Sequence, residues 1–133
     1  MGQFLEQAKH NEGFHKFLSS ISPNKFVDWK ITCLFYAALH LVKELAQVKK
    51  VRLGDSHNSI LSEINPINKS RKLIVKRDFY ETYNSLYMFS RDVRYDGFLI
   101  YEEFEKALEP VYLESQKKYL YLKKEVIRLG VRI

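Results

Sequence analysis

Only three prolines and five glycines interrupt this chain of 133 residues. Many short strands would need more frequent turn punctuation, so the scarcity favours long helices. One cysteine, Cys33, stands alone. It excludes an internal disulfide and a thiolate zinc cluster, and it makes a reducing, cytoplasmic setting the default. No apolar run approaches the length of a membrane span, so no membrane association is expected. The N-terminal stretch MGQFLEQAKHNEG has early charge and no apolar h-region, which argues against a secretory leader. Glu6 stands where a myristoylation signal needs Ser or Thr. Glycine-rich phosphate loops and Cys/His sets at metal spacing are also missing, so neither a metal nor a cofactor is expected.

What is present is apolar, aromatic and basic. Hydrophobic residues make up 46% of the chain, with nine Tyr and nine Phe, which excludes a disordered polymer. The length suits one domain over 1–133 with a core of its own. The net charge of +6 suits a polyanionic partner such as RNA or an acidic protein.

The hydrophobic period is that of helices throughout. A first helix over 2–21 carries Phe14, Phe17, Leu18 and Ile21 as its apolar face and stops at SPNK. A second, over 24–50, has one stripe of Ile31, Leu34, Ala38, Leu41 and Leu45. A second stripe of Trp29, Cys33, Tyr36, His40 and Lys43 lies beside it. Two stripes imply the most buried helix of the set. Gly54 supplies a turn, and Asp55 or Ser56 caps a short helix over 56–65 with Ile60, Leu61 and Ile64 inward. A fourth helix over 70–95 turns Phe79, Tyr83, Leu86, Ser90 and Val93 inward and ends at YDGF. A fifth over 100–129 aligns Phe104, Leu108, Val111, Ser115, Tyr119, Leu122, Val126 and Leu129, with Pro110 expected to kink or split it. The fold class is therefore all-α, an up-and-down bundle of four to five helices.

Few residues carry candidate chemistry. His40 lies at the edge of an apolar face, where a histidine is most often a satisfied boundary residue; in a polar groove it would transfer protons or bind phosphate. Arg91 and Arg94 share a helix face with Asn84 and Tyr87. Two arginines one turn apart repel unless a carboxylate or phosphate lies between them. The plain account pairs them with Asp28, Asp92, Asp96 or a glutamate of the fifth helix. The alternative is RNA, where guanidinium groups hold phosphates and tyrosines stack on bases. RLGDSH, residues 52–57, has an arginine, four residues and a histidine, but it spans a glycine turn, so Arg52 and His57 need not share a face.

Three segments together resemble the HEPN superfamily, small helical bundles of prokaryotic toxins, defence proteins and nucleotidyltransferase partners. DWKITCLFYAALHLVKELA, residues 28–46, is similar to the second helix of such domains. DSHNSILSEI, residues 55–64, is similar to the segment that carries a histidine just after the loop. YNSLYMFSRDVRYDG, residues 83–97, resembles the signature near the end of the fourth helix. The resemblance covers roughly residues 4–129. It implies a four- or five-helix bundle, often a homodimer, with the polar signatures of both subunits facing one cleft. In active members an arginine, four to six residues and then a histidine form the pair that cuts RNA without metal. The histidine moves protons as the 2′-hydroxyl attacks, and the arginine stabilises the added charge. Here Arg91 matches the arginine, but Arg94 and Tyr95 follow it and no histidine does. Arginine is too basic to shuttle protons at neutral pH.

The resemblance therefore implies a HEPN-like module of a prokaryotic defence, toxin–antitoxin or mobile-element system. It would bind RNA, a nucleotide, or a partner such as an antitoxin, through Arg91, Arg94, Tyr95, Tyr87 and Asn84. His40 and His57 would lie nearby. One alternative is a metal-independent endoribonuclease in which His40 or His57 replaces the missing histidine beside Arg91. Another is a helical adaptor without a ligand, its arginines paired with its own acids.

Overall fold

The computed structural model describes the backbone of residues 2–95 and 101–133 and, outside residues 94–105, their side chains. Five helices follow in order: α1 (Gln3–Ile21), α2 (Val27–Val48), α3 (His57–Ile64), α4 (Arg77–Tyr95) and α5 (Tyr101–Arg128). No strand occurs among the described residues, and the chain is a helical bundle.

α2 is the central element and packs against α1, α4 and α5. Ile31, Leu34, Ala37, Ala38, Leu41, Val42 and Leu45 are all buried, so α2 is covered on most of its circumference. Its length and composition do reach what a membrane span needs, contrary to the sequence expectation, and 61% of its apolar window is buried inside the protein. The outward strip of α2 is the second stripe read from the sequence. Trp29 and Tyr36 are exposed and His40 is half-buried.

α1 keeps only Leu18 of the inward face expected for it. Leu5, Ala8, His15 and Leu18 point inward, while Phe14, Phe17 and Ile21 are exposed. The inward face joins the apolar core through Leu5 and Ala8 and meets α5 through hydrogen bonds. His15 Nε2 lies 2.8 Å from the Tyr112 hydroxyl, and Ser19 Oγ lies 3.2 Å from the same oxygen. Glu12 accepts from the Tyr119 hydroxyl and from Lys123 Nζ. Burial alone would raise the Glu12 pKa. Hydrogen bonds from Tyr119, Lys123 and Lys16 outweigh it and hold the carboxyl at about 2. Lys30 is fully buried, and its ammonium donates to the Ser22 and Pro23 carbonyl oxygens, closing the end of α1 against α2.

The fourth helix begins later than its pattern suggests. Residues 70–76 form no helix, because Leu73 and Val75 are buried as anchors of an extended segment and Leu73 N–H bonds the Glu63 carbonyl at 3.1 Å. From Arg77 onward the expected face holds. Phe79, Tyr83, Leu86, Ser90 and Val93 are all buried. α5 runs unbroken through Pro110 rather than splitting there, with Leu108, Ser115, Tyr119, Leu122 and Val126 buried. The expected stop at Asp96 and Gly97, and the inward Phe104, lie outside the described residues.

Val93 of α4 packs with Val27 and Ile31 near the start of α2, whereas Tyr83 and Tyr87 meet Phe35 further along. α2 and α4 are thus antiparallel, an arrangement that fixes where the candidate residues lie relative to one another.

Candidate functional site

The connection from α2 to α3 delivers the first candidate. Ser56 caps α3, its Oγ accepting from Ser59 N–H at 3.0 Å, so His57 occupies the first helical position. Gly54 sets this turn with φ +79, and a Cβ there would lie 2.7 Å from Ser59 Oγ. Any other residue would be strained in this turn and would push the Ser59 side chain aside.

From that position the His57 ring reaches α4. It stacks on Tyr87 with ring centroids 3.5 Å apart and an interplanar angle of 25°. Nδ1 lies 3.3 Å from the Tyr83 hydroxyl. Phe35 of α2 meets the ring edge-on at 5.6 Å. Burial pushes the Tyr83 hydroxyl far above its ordinary pKa, so it stays protonated at neutral pH. Whichever group donates in that contact, one stacked ring, one edge-on ring and one hydroxyl fix the imidazole in place.

Arg91 lies one turn beyond Tyr87 on α4, and its side chain is exposed. No ion pair engages it among the described residues, so none of the acids described accounts for it. Asn84 is half-buried, one turn before Met88 and next to Tyr83 in sequence. Arg94 and Tyr95 end α4, and their side chains lie outside the described residues.

His40 belongs elsewhere. Its Nδ1–H donates to the Tyr36 carbonyl oxygen at 2.8 Å, and burial lowers its pKa against the raising effect of that bond. It lies about 7 Å along α2 from Phe35, and Arg91 lies about 6 Å from Tyr87 in the opposite direction. The helices being antiparallel, His40 and Arg91 are separated by roughly 13 Å along the bundle. The structure brings together His57, Tyr83, Tyr87 and Phe35, with Arg91 one turn away. It does not bring His40 to them. Cys33 is half-buried and its thiol is pushed up to about 11 by burial, so it is not a thiolate at neutral pH.

Comparison of the chain with protein-family models, with curated proteins and with solved structures finds no match.

Two features escaped the sequence reading. Tyr83 belonged to the core stripe, yet its hydroxyl end touches His57. A groove of about 660 Å³ also opens between the start of α1, the end of α2 and residues 50–55. Nothing in periodicity signals a groove between the ends of two helices.

Proposed function

We propose that this chain is a HEPN-like module of a prokaryotic defence, toxin–antitoxin or mobile-element system, and that it binds single-stranded RNA on the face of α4. The observation that carries the reading is the His57–Tyr87 stack with Arg91 one helical turn beyond it. A fixed aromatic pair offers a platform for a base, and an arginine one turn on offers a phosphate contact. Arg94 and Tyr95 continue α4 beyond Arg91, and Asn84 lies one turn before Tyr87. Fluorescence anisotropy with a labelled oligouridylate tests it. Arg91→Gln should weaken binding about tenfold, as expected for one lost charge-assisted phosphate contact. Unchanged affinity in Arg91→Gln and Tyr87→Ala would leave the chain a ligand-free adaptor on this face.

A second reading has one observation in its favour: of the two candidate histidines, His57 is the one held beside α4. In a metal-independent endoribonuclease His57, whose Nε2 is buried and whose Nδ1 faces Tyr83, would have to leave this packing to exchange protons with the 2′-hydroxyl and the leaving oxygen, while Arg91 would stabilise the phosphorane charge. RNA cutting in EDTA that leaves a cyclic phosphate and vanishes in His57→Ala is the signature.

The homodimer belongs to the same proposal. Phe14, Phe17, Ile21, Phe26 and Trp29 form an exposed apolar strip over α1 and the start of α2, and Phe14, Phe26 and Trp29 line a depression of about 380 Å³ within it. Each half-exposed side chain offers on the order of 100 Å². Two copies face to face would cover about 1,000 Å² from these residues, the lower bound for a specific interface. A second copy of the chain is the occupant we assign to this strip.

A further inference from the structure

The groove between α1 and α2 has walls of two kinds. Phe4, Val51 and Leu53 are apolar; Lys43, Lys50 and Arg52 are cationic, with Asp55 the one acid among its lining residues. Lys43 Nζ lies 5.6 Å from the centre of the Phe4 ring, so a cation and a π-face meet on one wall. None of the three cations is in an ion pair among the described residues. At about 660 Å³ the space is far larger than a bare phosphate and falls in the range of small-molecule sites.

The backbone of Lys50 is the decisive detail. α2 ends with Lys50 N–H bonded to the Gln47 carbonyl and Val51 N–H bonded to the Ala46 carbonyl, and Lys50 itself is left-handed with φ 59. This is the Schellman end of a helix, whose left-handed position glycine occupies by preference. α5 ends in the same way, with Gly130 N–H on Ile127 and Val131 N–H on Val126, and there the left-handed residue is glycine with φ 122. One protein thus makes the same turn twice, once with glycine and once with a lysine in the region an L side chain rarely adopts. A cation near the helix dipole does not explain the choice. Lys49 already supplies one at the C-cap with an ordinary φ of −84, and it does not line the groove. The Schellman end demands a left-handed residue, and the one that fills it here at a conformational cost, as Phe26 does elsewhere with φ 59, carries a cationic side chain that lines the groove.

We propose that this groove binds a phosphorylated nucleoside, either a free nucleotide or the terminal nucleotide of a single-stranded RNA. Lys43, Lys50 and Arg52 take the phosphate, and Phe4 with its apolar neighbours takes the base. The site is separate from the Arg91 face and does not rest on it. Arg52 thus stands in a built site, although not as the catalytic partner of His57 that the spacing in RLGDSH imitates.

The test uses the full chain and two unlabelled probes, AMP and a 5′-phosphorylated oligouridylate, in titration calorimetry. Lys50→Gly should raise the melting temperature by several degrees and weaken the bound probe about tenfold. Arg52→Gln should weaken it similarly without raising the melting temperature, and Lys49→Gln should change neither. AMP binding alone assigns the site to free nucleotides and counts against the RNA reading of α4. Oligouridylate binding lost in Lys50→Gly assigns it to an RNA end. The proposal is overturned if neither probe binds the unaltered chain at millimolar concentration. It is equally overturned if Lys50→Gly leaves affinity within twofold or fails to stabilise, or if Lys49→Gln weakens binding as much. Binding lost in Arg91→Gln but kept in Lys50→Gly would remove the groove and leave the α4 face standing.

Discussion

Glu12 joins α1 to α5, and replacing it with glutamine should loosen that joint by a predictable amount. The carboxylate accepts from Tyr119 and Lys123 of α5 and pairs with Lys16 on its own helix at 3.2 Å. Its side chain is only 16% exposed, so the pair with Lys123 is poorly screened, whereas Lys16 is exposed and contributes little. A carboxyl held at about 2 instead of 4.5 is favoured in the folded state by about 3 kcal/mol. With the Lys16 share screened, about 2–3 kcal/mol remains. The folded pKa is depressed, so this stability is complete above pH 4.5 and is lost as pH falls toward 2. Glu12→Gln should therefore melt roughly 10 °C below the unaltered chain at pH 7. The gap should shrink to a minor fraction of that by pH 2.5. Calorimetric melts of both chains across this range measure it. A gap at pH 7 below one degree, or one equally large at pH 2.5, would refute the account of the α1–α5 joint.

Two further perturbations test other parts of the fold. Tyr83→Phe removes the hydroxyl beside His57 Nδ1 without touching the stack; urea unfolding should show a loss of about 1 kcal/mol at unchanged m-value. Phe17→Glu with Trp29→Glu places charge on two residues that are 58% and 56% exposed; sedimentation should find folded monomers whose melting temperature no longer depends on protein concentration, against dimers for the unaltered chain.

The legible parts of the fold were those where one face meets one core. Phe79, Tyr83, Leu86, Ser90 and Val93 repeat at helical spacing and are all buried, since α4 has a single apolar face to hide. α1 was misread because periodicity reports that an apolar face exists, not that the core lies beneath it. Phe14 and Phe17 are outside, and His15 and Ser19 meet Tyr112 inside. Buried Lys30 was invisible for another reason: its acceptors are the Ser22 and Pro23 carbonyls, which only the folded connector brings to it. His57 was named from its place after a turn and cap. Its stack on Tyr87 needs the packing of α3 on α4, which spacing does not encode. Lys50 could not be read at all, because the sequence signal for a left-handed residue is glycine and here that signal is missing.

The central claim is that the Tyr87–His57 platform with Arg91 forms an RNA-binding face on α4. Anisotropy of a labelled single-stranded oligouridylate, titrated with the unaltered chain and with Arg91→Gln at two salt concentrations, tests it most directly. The account predicts binding that weakens with salt, an affinity about tenfold lower for Arg91→Gln, and a shallower salt slope for that variant. Equal affinities and equal slopes for the two chains would contradict it.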